Sequence, residues 1–276
     1  MQKKVALRLF TTISHLIYMK YNKILTVKEV EWLNQSHVLI KLTDSMPLPE
    51  VMPGQFVQVK VENSPRTFLR RPISINFYDR QSNELWLLVQ LKGDGTRAMA
   101  QLLPGDKLEV LFPLGNGFSQ EVTPGEKVLL VGGGVGVAPL LLYGKYVQEK
   151  GGIPLFLLGA RTQADLLELD LFRQYGQVLV TTEDGSAGEK GFVTQHSVLQ
   201  RAGFSRISVC GPKPMMVAVA KYANAVNISC EVSLENLMAC GLGACLCCVE
   251  KTVKGNVCVC TEGPVFNINQ LTWELD

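Results

Sequence analysis

Six cysteines fall between residues 240 and 260, and their spacing limits the fold more than any other feature of the chain. Cys240, Cys245 and Cys248 are separated by four and then two residues, and Cys258 and Cys260 follow ten residues on. That is the ligand spacing of a plant-type [2Fe–2S] centre, in which four thiolates hold two irons. Three thiolates meeting on one small inorganic core require the chain between them to wrap as a tight loop. Gly241 and Gly243 suit such a loop, because glycine takes positive φ cheaply and lets backbone N–H groups approach sulfur. Cys247 adjoins Cys248, so the two side chains should point apart, and the four-then-two rule selects Cys248. The fourth ligand must come from a neighbouring segment. Two other readings compete. A tetrahedral zinc site uses four cysteines, but mostly as two short pairs a dozen or more residues apart. A disulfide knot suits a small secreted domain, whereas this chain has ample apolar residues for a core.

With 276 residues the chain allows one large domain or two to three smaller ones. A composition 47% hydrophobic and 19% charged, with a net charge of +2, is that of a globular protein without polyelectrolyte character. No basic run of the length nucleic acid binding needs is present, and no apolar run reaches the ~18–20 residues of a membrane span. Clustered cysteines in such a chain indicate a metal site in a reducing, cytoplasmic compartment. The first 18 residues are basic and apolar, superficially like a targeting peptide, but polar residues interrupt them and no small-residue cleavage site follows. Residues 1–21 are read as an N-terminal extension bearing a weakly docked helix, with the first β domain starting after Met19.

From Lys23 to about Pro124 the hydrophobic period is near two. Ile24–Val27, Val38–Leu42, Phe56–Val59, Leu85–Val89 and Leu108–Leu111 read as strands, separated by Pro53-Gly54, Asn83 and Pro104-Gly105-Asp106. Short strands at this spacing predict an antiparallel β-barrel over 22–124, interrupted by one helix from Thr96 to Leu103. After Pro124-Gly125 strands alternate with helices: strands at Lys127–Val131, Ile153–Gly159, Val178–Thr181, Arg206–Cys210 and Ile228–Ser233, and helices near 165–175, 194–201 and 215–224. This pattern predicts a doubly wound parallel sheet over 125–233. Residues 234–276 remain as a small cluster module, making an α+β and α/β multidomain chain.

Three further motifs carry chemistry. In Arg71-Pro72-Ile73-Ser74 the arginine fork can pair with a pyrophosphate and the serine can donate to a flavin ring; standing alone, an exposed arginine on a strand explains the segment equally well. Gly93-Asp94-Gly95-Thr96 opens the predicted barrel helix, where free N–H groups and the helix dipole favour phosphate, although a plain hairpin turn has the same composition. Barrel, arginine motif and turn are mutually consistent with an FAD domain. Gly132-Gly133-Gly134-Val135-Gly136 lies between a buried strand and a helix, as a dinucleotide turn does, with spacing different from GxGxxG. Cys210-Gly211-Pro212 ends another strand at the same sheet edge, which places Cys210 beside a nicotinamide or simply in the core. Glu183 and Asp184 would repel a 2′-phosphate and favour NAD, with Arg161 pointing the other way.

Taken in order, these segments resemble the ferredoxin–NADP reductase superfamily over residues 22–233. With the C-terminal MACGLGACLCCV and VCTEGPVF segments, the chain is similar to the electron-transfer subunits of class 1B dihydroorotate dehydrogenases. Leu114-Gly-Asn-Gly-Phe118 and Asp184–Phe192 agree with that resemblance. It implies that Cys260 is the fourth cluster ligand and Cys258 a bystander. It also implies FAD and [2Fe–2S] cofactors, NAD as electron acceptor, and a heterotetramer with an FMN-bearing catalytic subunit of pyrimidine synthesis. None of the three histidines lies in a motif, so an electron conduit is expected rather than a carbon-substrate enzyme. Two other readings remain open: a reductase subunit of a sulfide dehydrogenase, ferredoxin–NADP reductase or hydrogenase diaphorase, and a metal-stabilised binding module without redox function.

Overall fold

The computed structural model describes residues 19–275 apart from Asn63 and Ala202. The expected helix within residues 1–18 lies outside the described residues. Six strands close a barrel: β1 (Tyr21–Asn34), β2 (His37–Thr43), β3 (Phe56–Val59), β4 (Arg71–Asp79), β5 (Glu84–Gln90) and β6 (Lys107–Leu114). They run in the order β1-β2-β5-β4-β3-β6, and antiparallel pairing of β1 with β6 removes the open edge. Alternate residues such as Leu25, Val27, Val38, Ile40, Leu85 and Leu87 fill the interior at 0–1% exposure, which is why the period-two pattern folds this way. The helix inside this half, α1 (Asp94–Met99), starts two residues before and stops four before the expected span. The early start follows from Gly93, whose extended backbone serves as N-cap, and a turn through Pro104-Gly105 then leads into β6.

The second half is a seven-stranded sheet in the order β10-β9-β8-β7-β11-β12-β15. Its members are β7 (Lys127–Gly133), β8 (Ile153–Ala160), β9 (Gln177–Thr182), β10 (Glu189–Lys190), β11 (Arg206–Cys210) and β12 (Ser229–Ser233), all parallel, with β15 (Val265–Asn267) at the edge. The helices α2 (Ala138–Glu149), α3 (Leu169–Tyr175) and α4 (Lys213–Ala225) connect its parallel strands. Strand order reverses between β7 and β11, which opens a crevice at their carboxyl ends. Two expectations need correction. Residues 194–201 form two 3-10 turns, Val193–Gln195 and Ser197–Gln200, not a helix. The turns are separated at His196, whose backbone is extended and whose Nδ1 accepts the Val198 N–H at 3.0 Å, capping the second turn. In addition, β15 belongs to the 234–276 segment and pairs antiparallel with β12, so this tail completes the sheet edge. The rest of the tail is a hairpin, β13 (Val249–Thr252) with β14 (Gly255–Cys258), and one short helix, α5 (Val259–Glu262).

Two further seams tie the barrel to the sheet and to the tail. Between barrel and sheet, the buried Asn76 of β4 donates from Nδ2 to Ala138 O at 3.3 Å and to Glu168 Oε2 at 2.9 Å. Between barrel and tail, the loop after β6 does the work: Asn116 N donates to Gly263 O at 2.5 Å, and Asn116 Nδ2 to Thr261 O at 2.9 Å and Glu262 O at 3.2 Å. Gly115 is needed there at φ +74°, since a Cβ would stand 2.6 Å from both Gly263 O and Pro264 Cδ. The LGNGF motif is therefore the clasp that fixes the segment bearing Cys260 against the barrel.

Candidate redox centre and nucleotide crevice

The cluster loop runs from Cys240 to Cys248 and is closed by the Cys258–Cys260 segment. Gly241 and Gly243 take φ +70° and +82°, turning backbone N–H groups inward. Leu242 N donates to Cys240 Sγ at 3.3 Å, Gly243 N to Cys260 Sγ at 3.2 Å and Cys260 N to Cys248 Sγ at 3.4 Å. Donors aimed at sulfur favour thiolate, the form that binds iron. Burial opposes ionisation of Cys240, but N–H groups of Leu242, Cys245 and Ala244 and the Cys245 side chain together bring it down to about 6. Burial and then the Cys248 side chain push the Cys260 thiol up to about 12 in the absence of a cation, against the Gly243 N–H. Cys248 is 2% exposed while its neighbour Cys247 is exposed, so the turn that leads into β13 points the two thiols apart. Cys258 Sγ faces Gly243 O at 3.7 Å, a partner suited to a protonated thiol. Among the described residues no group of three or more His, Cys, Asp or Glu stands in single-ion geometry; what fits the loop to a cluster is its set of N–H donors.

On the barrel, Arg71, Pro72, Ile73 and Ser74 open β4, all partly exposed. The structure brings the Gly93–Thr96 turn against them: a Cβ on Gly95 would lie 3.2 Å from Arg71 Cδ and 3.0 Å from Thr67 Cγ2. Thr96 Oγ1 accepts from the N–H of Lys92 at 2.9 Å and of Gly93 at 3.1 Å, so it holds the turn shut from within. In the sheet, Gly132 and Gly133 end β7, and Gly134, at φ +56°, starts a 3-10 turn through Gly136 that leads into α2. A Cβ on Gly136 would be 2.6 Å from Cys210 O and from Gly211 N and Cα, so this turn and the Cys210-Gly211-Pro212 loop touch backbone to backbone. Cys210 is 1% exposed; burial, then the charge of Glu235, push its thiol well above the ordinary range, so it stays protonated. Glu183 and Asp184 lie beyond β9, and Asp184 Oδ1 accepts from Ser186 N at 2.9 Å and Ser186 Oγ at 2.6 Å. Ser186 Oγ in turn accepts from Gln163 N at 2.8 Å, tying this loop to the one carrying Arg161.

The two histidines within the described residues serve the fold. His37, 4% exposed, bonds Asn34 Oδ1 and Ser36 Oγ through Nδ1, and His196 caps the turn noted above. Burial lowers both of their pKa values. One polar residue passed over in the sequence is Gln58, in the middle of the apolar strand β3 and fully buried against the cluster loop. The signal for it was a lone amide in Phe-Val-Gln-Val.

A closed barrel with an arginine–serine strand, a dinucleotide crevice and a cysteine loop together define an oxidoreductase whose cofactors are FAD, a [2Fe–2S] cluster and NAD. Residues 235–272 match the family model described as the iron–sulfur cluster binding domain of dihydroorotate dehydrogenase B, and residues 130–221 match the oxidoreductase NAD-binding domain. The chain is 38% identical to a dihydroorotate dehydrogenase B (NAD(+)) electron transfer subunit of Shouchella clausii, over 91% of this chain and 98% of that one. It is 41% identical to the subunit of the same description from Caldanaerobacter subterraneus, over 78% and 84%. A solved NADH-dependent reduced ferredoxin–NADP oxidoreductase superposes with a TM-score of 0.81 at 28% identity, covering 92% of each chain. A cytochrome P450 reductase from Amycolatopsis superposes with a TM-score of 0.65 at 25% identity, over 75% of this chain and 66% of that one. The chain belongs to the family of dihydroorotate dehydrogenase B electron transfer subunits. No helix among the described residues is long and apolar enough to cross a membrane.

Proposed function

We propose that the chain takes electrons from the FMN of a dihydroorotate-oxidising catalytic subunit and delivers them, by way of [2Fe–2S] and FAD, to NAD+ in cytoplasmic pyrimidine synthesis. The assembly is a heterotetramer of two copies of each subunit. When bound, FAD exchanges hydride with nicotinamide and single electrons with an iron–sulfur centre, which is the conversion such a conduit needs.

The chain's own residues divide as follows. Cys240, Cys245, Cys248 and Cys260 hold the irons, while the N–H groups of Leu242, Gly243 and Cys260 stabilise the thiolates. Arg71 grips the FAD pyrophosphate, Pro72 and Ile73 line the ring, and Ser74 donates to it; Gly93, Gly95 and Thr96 shape the turn beside them. Gly132, Gly133, Gly134 and Gly136 let the backbone approach NAD, and Gly211 and Pro212 close the crevice. Cys210, held as a thiol, packs beside the nicotinamide without acting as a nucleophile. The functional units are 22–124 for FAD, 125–233 for NAD and 234–276 for the cluster.

The observation that carries this reading is the two-sidedness of the cluster loop. Its inner side rests on the barrel at Gln58, while Leu242 and Leu246 on the loop are 46% and 65% exposed and Leu237 just before it is 85% exposed. An apolar rim beside a redox centre fits a flavoprotein docked there, close enough for electron transfer. The test is reconstitution with the FMN-bearing catalytic subunit. Dihydroorotate-dependent reduction of NAD+, much faster than of NADP+ given Glu183 and Asp184, is expected. A pair that forms no NADH, while the chain alone reduces dyes with NADH, would transfer the chain to another partner.

A further inference from the structure

Gln58 is 0% exposed, between Val57 and Val59 at 0% each, and neither its Nε2 nor its Oε1 has a hydrogen-bond partner among the described residues. A buried primary amide without a protein partner opposes folding, and a leucine would complete this strand better. An orphaned amide in such a place points to something the protein chain itself does not supply. The side chain lies on the cluster loop: a Cβ on Gly241 would stand 2.8 Å from Gln58 Cγ and 3.1 Å from its Nε2. This close approach, with φ at +70°, is why residue 241 must be glycine. On its other side Gln58 is in register with Pro72 of the flavin motif, and its carbonyl accepts from Arg70 Nη1 at 3.4 Å. The residue thus sits on β3, the direct neighbour of the strand that carries Arg71 and Ser74, and its amide meets the turn next to Cys240.

We propose that the Gln58 side chain, reaching out from β3, donates its free N–H to the sulfur shell of the cluster beside Cys240, and so raises the cluster's reduction potential. The inference rests on the cluster reading above. Thiolate and sulfide gain negative charge when the cluster accepts an electron, so each donor aimed at them favours the reduced form. Leu242 N already supplies one such donor to Cys240 from within the loop. Gln58 exchanges neither a proton nor a bond in the step; the electron comes from the partner and leaves toward the flavin. Its role is to tune the cluster that it touches.

The experiment uses the full chain with its cofactors and two substitutions, Gln58→Leu and Gln58→Met, which keep volume and remove the donor. Iron and FAD contents are expected to match the parent, and the midpoint potential of the cluster, read by redox titration under electron paramagnetic resonance, is expected to fall in both. Cluster-free protein of each variant should melt above cluster-free parent, because the orphaned amide is gone. An unmoved cluster potential overturns the proposal, and so does a shift confined to the flavin. Loss of iron from both variants with FAD retained also overturns it, since that marks a packing role. A parent without any iron–sulfur signal would sink the cluster reading itself, which the potential of the variants cannot do.

Discussion

Two asparagines fasten this molecule together, and they do so by different means. At the barrel–tail seam, Asn116 gives its side-chain amide to two backbone carbonyls and its own N–H to a third, all neutral groups. At the barrel–sheet seam, Asn76 gives its amide to a carboxyl group, Glu168, and leaves two atoms over: Asn76 Oδ1 and Glu168 Oε1 are both buried and unpaired. Glu168 is only half-buried as a residue, but its carboxyl end is enclosed, and its backbone takes φ 55° at the start of α3. Burial, with a smaller push from Glu31, raises this carboxyl to about 7 against the Asn76 amide and Lys41. Once protonated, the acid can return a hydrogen bond to the amide oxygen, satisfying both orphaned atoms at once. The neutral clasp is indifferent to pH; the acid–amide seam is not.

The first way to press this comparison is to remove the metal from one side of it. Cys248→Ser is expected to abolish the cluster completely, measured as iron per chain, while Cys247→Ser keeps it. FAD content should survive in both, because the core shared by the barrel and one face of the sheet contains none of the cluster cysteines. Equal iron in the two variants would overturn the choice of Cys248, and loss of FAD would show that the tail holds the other halves together.

Next in size is the acid–amide seam. Glu168 has a folded-state pKa above its ordinary 4.5, so its protonated form is the stabilised one. Its contribution is full below about pH 4.5 and is lost as pH rises through about 7. At pH 8 the ionised, buried carboxylate costs at most about 3 kcal/mol. Glu168→Gln preserves the paired geometry without the charge, so its Tm should exceed the parent's at pH 8 and converge with it near pH 4.5. A parallel offset at every pH would remove Glu168 from the seam's pH dependence.

The smallest effect belongs to the neutral clasp. Asn116→Ala deletes two side-chain bonds to Thr261 and Glu262, worth about 1–2 kcal/mol together. Iron should become more accessible to a chelator while FAD content is unchanged, and the loss of Tm should be the same at pH 6 and pH 8. A loss that varies with pH would erase the distinction between the seams.

Much of this was legible in the chain, and the parts that were not share a cause. The period-two runs of the barrel and the buried strands of the sheet follow from which faces must be apolar, so Phe56–Val59 and Arg206–Cys210 lie where patterning puts them. The four-then-two cysteine spacing is equally local, because a loop of nine residues must satisfy it by itself. Residues 194–201 misled because their apolar positions fit a helix, whereas the imidazole of His196 caps a separate turn. No local rule announces that Asn116 will find Gly263, that Val265–Asn267 will complete a sheet begun 138 positions earlier at Lys127, or that Gln58 will face Gly241.

By itself, then, the sequence determined most of the strands and helices and the cysteine spacing of the loop, since each depends on residues near one another along the chain. Only the tertiary structure decided how the cluster loop is braced and which barrel side chain meets it. Those contacts join segments more than a hundred residues apart, and their geometry is set by two cores that each span more than one part of the molecule rather than by any stretch of the chain.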